Sequence, residues 1–157
     1  MQLKIEALDQ SAAEEIASWH YEGEYTFYDF ASDQEDLEEL LDPELRGETM
    51  FKARNPENEL VGFFSFNQIA GALDIGVGLR PDLTGQGLGR SFVDAGLVFA
   101  KMMYSPEVIQ LRVAAFNKRA IKVYERAGFV AVEHFLQRTN GGEFDFVRME
   151  WVSDSTS

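Results

Sequence analysis

Gly85, Gly87 and Gly89 alternate along the stretch Leu73–Arg90, LDIGVGLRPDLTGQGLGR, just ahead of a helical pattern. Alternating glycines strip side-chain bulk from three backbone positions and permit positive φ, so another molecule can approach the main-chain N–H groups. A helix starting directly afterwards adds unpaired N–H groups and a partial positive charge. Together these could seat a phosphate. The spacing is not the dinucleotide fingerprint G-x-G-x-x-G, since Arg90 and Phe92 stand where its last glycine belongs, and no Gly-Lys-Ser/Thr follows. Taken alone, the loop is better read as a tight strand-to-helix turn.

The second chemical stretch is Asn117–Phe129, NKRAIKVYERAGF. Asn117 is a good helix N-cap, and Ala120, Ile121 and Tyr124 share one helical face. Lys118 and Arg119 occupy the first turn, where cations oppose the helix dipole, and Arg90 does the same one helix earlier. Cations at two helix starts suggest that an anion sits at that end of the molecule. The charge distribution agrees. Residues 80–126 hold 8 basic and 4 acidic side chains, whereas residues 1–60 hold 17 acidic and 4 basic ones. The acidic third includes Trp19–Phe30, WHYEGEYTFYDF, with six aromatics and three acids around Gly23. Such a segment reads equally as a lid on the core or as a wall of a binding site.

Composition narrows the chemistry. The net charge of −13 argues against non-specific nucleic-acid binding. The absence of cysteine removes disulfides, thiolate catalysis and cysteine metal sites. The two histidines, His20 and His134, lie in unrelated contexts, and no spacing suggests a metal site. No apolar run approaches a membrane span, so a cytoplasmic protein is the expectation.

These residues must be positioned by a mixed set of elements. Alternation and apolar stripes predict strands at Gln2–Leu8, Thr49–Ala53, Leu60–Phe66, Leu73–Leu79, Val108–Ala114, Phe129–Leu136 and Phe144–Trp151. Helices are expected at Ser11–Trp19, capped by Ser11 or Asp9, and at Asp33–Leu45, with Pro43 marking its end or a further turn. Two more are expected at Gly87–Met103 and Asn117–Ala127, the last closed by Gly128. The order β-α-α-β-β-β-α-β-α-β-β implies a mixed α/β sheet, α+β in its antiparallel parts, with a strand–helix–strand crossover at its centre.

Both chemical stretches, in this order, resemble the GCN5-related N-acetyltransferases (GNAT), which move an acetyl group from acetyl-coenzyme A to an amine. The family's cofactor loop, Gln/Arg-x-x-Gly-x-Gly/Ala, is matched by Thr84–Gly89, with Thr84 in place of the usual long polar residue. Its second motif is matched at Asn117, Ala120, Tyr124, Gly128 and Phe129. The resemblance implies a GNAT-like fold, one N-acetyltransferase domain over residues 1–152 and a polar tail at 153–157. It also implies roles. Val77, Gly78 and Leu79 would offer main-chain groups to the pantetheine arm, and Gly85, Gln86, Gly87, Leu88, Gly89 and Arg90 would wrap the pyrophosphate. Asn117 would touch the cofactor arm, and Tyr124 would give a proton to the coenzyme A thiolate. Some members carry a Glu base where this chain has Arg112, which cannot act as a base at neutral pH. Asp74 is the substitute expected here, with Glu22, Glu24 and His20 as rivals. A primary amine acceptor, either a small cationic amine or a protein or peptide amine, would meet Glu22, Glu24, Tyr25 and Tyr28 in the acidic aromatic segment, with no metal. Exposed sheet edges leave room for a homodimer. Two other readings stay open: a coenzyme A-binding sensor or interaction module without turnover, and a nucleotide-binding domain of different chemistry.

Overall fold

The computed structural model describes residues 2–153, so the expected polar tail lies outside the described residues apart from Ser153. Seven strands form one mixed sheet in the order β1-β2-β3-β4-β5-β7-β6. They are β1 (Lys4–Ala7), β2 (Met50–Arg54), β3 (Leu60–Ile69), β4 (Ala72–Leu79), β5 (Val108–Ala114), β6 (Val130–Thr139) and β7 (Gly142–Val152). All neighbours pair antiparallel except β4 and β5. That parallel pair requires a crossover, supplied by α4 (Gly89–Tyr104).

The sheet is covered on both faces because its strands carry apolar residues at alternating positions. Phe64 and Phe66 point to the α4 side, where Phe92, Val93, Leu97 and Ala100 meet them in the larger core. Phe64 stacks on Phe92 with ring centroids 4.6 Å apart. Phe63, one residue out of phase, faces the other side. There α1 (Gln10–Ala17) and α2 (Gln34–Leu41) bury Ala13, Ile16 and Leu40 in a second cluster. α5 (Lys118–Arg126) packs Ala120, Ile121, Val123 and Tyr124 against the larger core.

Local chemistry explains the element boundaries. Asp9, not Ser11, caps α1, accepting from the Ala12 N–H at 2.9 Å. The helix expected over Asp33–Leu45 is two: α2 ends at Leu41, and Asp42 caps a short α3 (Pro43–Arg46) by accepting from the Glu44 N–H at 2.9 Å. Proline at the first helical position fits a new start, because it lacks the N–H that a continuing helix needs. The turn between β6 and β7 shrinks to Asn140–Gly141, both at positive φ (49° and 77°), and the strands run longer than their apolar alternation indicates. Two residues at positive φ make the tight hairpin turn whose twist suits antiparallel strands. The aromatic segment folds as two 3-10 turns, Gly23–Tyr28 and Phe30–Ser32. No described helix is long and apolar enough to cross a membrane.

Candidate active site

β4 and β5 pair only at Leu73–Ile109 and Asp74–Gln110. β4 stays bonded to β3 as far as Leu79, and β5 stays bonded to β7 as far as Ala114. The sheet therefore opens into a V from Ile75 onward, leaving backbone groups on the facing edges of β4 and β5 without strand partners. A cavity of about 830 Å³ fills the opening.

One end of the cavity is cationic. Gly85 and Gly87 have φ of 73° and 78°, values that a side chain strongly disfavours. A Cβ built at Gly87 would meet no protein atom within 4 Å. α4 begins just beyond with no side chain on its cap, whereas Asp9, Asp33, Asp42 and Asn117 cap the other described α-helices. Its first N–H groups are thus free to meet an anion. Arg90, Lys118, Arg119, Lys122 and Arg126 line the same cavity. Arg119 also lies over the Tyr25 ring, 4.4 Å from its centroid, tying α5 to the aromatic segment.

The middle of the cavity holds Asn117, Tyr28 and Tyr124. Asn117 caps α5 through Oδ1, which accepts from the Ala120 N–H at 3.1 Å, and its Nδ2 donates to the Tyr28 hydroxyl at 3.1 Å. Burial pushes the Tyr124 phenol well above its ordinary pKa, with a smaller contribution from Tyr28. Burial also raises Tyr28, partly offset by the bond from Asn117. Both phenols therefore hold their protons at neutral pH.

The far end is aromatic and acidic. Phe27 packs edge-on against Phe144 at 4.9 Å and Phe116 at 5.6 Å, so the aromatic segment is both lid and wall. Tyr21 donates to the Leu79 carbonyl at 2.7 Å, fastening the segment to the open end of β4. Asp29 and Asp36 are the carboxylates lining the cavity. Asp29 accepts from the Tyr21 N–H at 2.8 Å and meets His20 Nδ1 at 2.6 Å. Burial, and then the neighbouring acids Asp33, Glu39 and Glu35, push the Asp36 carboxyl up to about 6.

The structure brings together most of the residues singled out by sequence. Val77, Gly78, Leu79, Gly85, Gly87, Gly89 and Arg90 line the cavity, as do Asn117, Tyr124, Tyr25 and Tyr28. Gln86 and Leu88 do not line it with these residues, and the Gln86 amide turns back to the Asp82 carbonyl. Asp74 is not among the lining residues either. It sits at the closed end of the V, where β4 and β5 still pair, and accepts from Gln110 at 3.1 Å and Arg112 at 3.4 Å. Glu22 and Glu24 are exposed and outside the cavity. Asp29 and Asp36 take the acidic places instead. No local pattern distinguishes them from the other acids of residues 1–60, because only the docking of the aromatic segment and α2 onto the sheet selects them.

A family profile described as acetyltransferase (GNAT) domain matches residues 2–130. The spermidine N(1)-acetyltransferase of Vibrio cholerae is 26% identical over 141 residues, covering 85% of this chain and 78% of that protein. The mycothiol acetyltransferase of Propionibacterium freudenreichii is 41% identical over 56 residues, 36% of this chain, and the matched part spans only 18% of that protein. Among solved structures, a Vibrio cholerae spermidine N-acetyltransferase in complex with CoA and spermine superposes with a TM-score of 0.75 at 22% identity, covering 96% of this chain and 95% of that one. At that identity the likeness speaks for the fold.

Proposed function

The chain belongs to the GNAT acetyltransferases, and from that premise we propose that it moves an acetyl group from acetyl-coenzyme A directly to a primary amine of a small cationic molecule. The observation that carries this reading is the opening of β4 from β5 into a cavity with the glycine loop at one end and Tyr124 on its wall. The residues present fit the cosubstrate. The unpaired edge of β4 at Val77–Leu79 suits an extended amide-bearing arm, by the geometry of strand addition. The Gly85–Arg90 loop, through the residues that line the cavity, suits a pyrophosphate beside the uncapped start of α4. Acetyl-coenzyme A supplies the activated acyl group as a thioester.

This chain's residues then have separate tasks. The amine nitrogen attacks the thioester carbonyl carbon as a neutral lone pair; the C–N bond forms and the C–S bond breaks. A main-chain N–H of the open β4 edge meets the charge developing on the carbonyl oxygen. Tyr124 gives its proton to the leaving sulfur. The amine's proton leaves through Asp29, a base-capable side chain at the cavity wall, with His20 behind it toward solvent. Asp74, engaged by Arg112 and Gln110, is not needed for that step.

The two cavity acids support a cationic acceptor, as does the likeness to spermidine acetyltransferases. A cytoplasmic location belongs to the same reading. A homodimer would use β6, a ten-residue strand at the sheet edge with Val130, Val132 and Leu136 exposed.

The test is thiol release from acetyl-coenzyme A across a panel containing spermidine, spermine, linear diamines and a lysine peptide. Amine-dependent release that falls about 100-fold or more in Tyr124→Phe, as loss of a general acid requires, supports the enzyme. Tight coenzyme A binding without release for any amine would instead make the chain a coenzyme A-binding module.

A further inference from the structure

Gln137 lies on β6 opposite Phe144. The pleat places Phe135, Gln137 and Thr139 on one face of the strand. Phe135 packs on Phe146 with centroids 6.0 Å apart, and Phe146 and Gln137 both line the cavity. The Gln137 Oε1 atom is fully buried, and no donor among the described residues meets it. It is the side-chain oxygen or nitrogen among them left in that condition. Burying an unmet carbonyl costs stability, and a group kept so at a cavity wall calls for an explanation.

The strand end beyond Gln137 is held in place. Asp33 accepts from the Thr139 hydroxyl at 3.0 Å and from the Asn140 N–H at 2.9 Å, and its other oxygen accepts from the Asp36 N–H at 3.1 Å. Asn140 Nδ2 donates to the Phe27 carbonyl at 2.8 Å. The hairpin end of β6 is thereby clasped to both α2 and the aromatic segment, two residues beyond Gln137. The same clasp brings the start of α2, with Asp36, to this end of the cavity. Gln137 thus carries an acceptor oxygen with no donor, on a cavity that Phe27, Tyr28, Phe146 and Asp36 also line, and an N–H of a positively charged ligand is a partner that suits such an oxygen.

We propose that Gln137 is a specificity-determining residue of the acceptor site, its side-chain carbonyl accepting a hydrogen bond from an N–H of the acceptor amine while Asp36 meets the positive charge. The inference rests on the reading of the chain as an acyltransferase acting on amines. It assigns Gln137 to holding the acceptor, with no part in binding acetyl-coenzyme A.

The experiment compares wild type, Gln137→Met and Gln137→Glu. Methionine keeps the length of the side chain and removes the carbonyl; glutamate keeps an acceptor oxygen. Melting temperature without ligand is measured first, then the shift produced by coenzyme A, then thiol release with spermidine and with linear diamines. Gln137→Met should melt higher than wild type, because the unmet carbonyl is gone, and should keep the coenzyme A-induced shift. Its acceptor KM should rise about tenfold or more, with kcat much less affected, as loss of a hydrogen bond to a charged group implies. Gln137→Glu should restore the acceptor KM to within about threefold of wild type, given the retained acceptor oxygen. A melting temperature in Gln137→Met that is unchanged or lower, or an acceptor KM matching wild type, overturns the proposal. If wild type releases thiol with no amine, the acyltransferase reading fails by itself. Gln137 is then decided by the melting shift that spermidine produces on the coenzyme A-loaded protein: lost in methionine and kept in glutamate supports the role, and equal shifts in all three overturn it.

Discussion

Gly87 separates a structural glycine from a ligand-facing one. Its φ is 78°, and a Cβ there would meet no protein atom within 4 Å. Gly71, in the turn between β3 and β4, has nearly the same geometry, with φ of 80° and equally empty surroundings, but it does not line the large cavity. Alanine at either position adds no clash, so the stability cost reduces to holding a side-chain-bearing residue in the left-handed region, roughly 1–2 kcal/mol. For a chain of this length that corresponds to a fall in melting temperature of about 2–8 °C. The two variants should therefore lose similar stability. They should differ in ligand binding. At Gly87 the new methyl group occupies the space through which a phosphate oxygen would reach the backbone. Loss of one charge-assisted hydrogen bond is worth about 1.5–3 kcal/mol, or roughly 10–150-fold in affinity. Thermal melts of wild type, Gly87→Ala and Gly71→Ala read the first quantity, and calorimetric titration of coenzyme A into the same samples reads the second. Wild-type coenzyme A affinity in a folded Gly87→Ala would refute the assignment of the loop to the pyrophosphate and return it to a tight turn.

Two further perturbations test the acidic end of the cavity and the frame around the V. Asp36 has its carboxyl pushed up to about 6, so its folded pKa lies above the unfolded value and its stabilising contribution exists at low pH and is lost as pH rises through about 6. Asp36→Asn should consequently raise the melting temperature at pH 7.5 and leave it nearly unchanged at pH 4.5. Solvent reaches Asp36 although its carboxyl is partly desolvated, and that screening limits the gain to about 0–1 kcal/mol, or at most about 4 °C. The same variant should raise the acceptor KM at pH 7.5, and in wild type that KM should climb as pH falls below about 6; a flat profile in both counts against Asp36 as the partner of a cation. Gly62→Ala would place its Cβ 2.3 Å from Phe92 Cζ and 2.5 Å from the Gly78 carbonyl oxygen, and the latter is backbone that cannot swing aside. Denaturant melts should show a loss of roughly 1–3 kcal/mol or more, as overpacking of a close-packed site produces.

The parts of the site that were legible in sequence are those built from consecutive residues. The loop glycines, the Asn117 cap and Tyr124 seven residues past Asn117 each depend on spacing within one segment, and all of them line the cavity. Asp74 illustrates the opposite case. Its place on the cofactor strand suggested a base, yet what a strand residue meets is set by the register of its neighbour. Pairing of Asp74 with Gln110 puts it at the closed end of the V, within reach of Arg112 two residues along β5. Glu22 and Glu24 lie outside the cavity for a related reason. The 3-10 turn over Gly23–Tyr28 aims Phe27 and Tyr28 inward and leaves both carboxylates in solvent.

By itself the sequence determined the elements and their order, because helix caps, alternation and glycine turns are properties of neighbouring residues. It also carried the family, through two motifs whose spacing survives in Thr84–Gly89 and Asn117–Phe129. Only the tertiary structure decided where β4 leaves β5, which carboxylates face the opening, and that Asp33 ties α2 to a hairpin more than a hundred residues away. It alone leaves the Gln137 carbonyl buried without a partner. Each of these is a relation between segments distant in the chain, fixed by sheet register and by the packing of two helical layers on opposite faces, and no single segment encodes it.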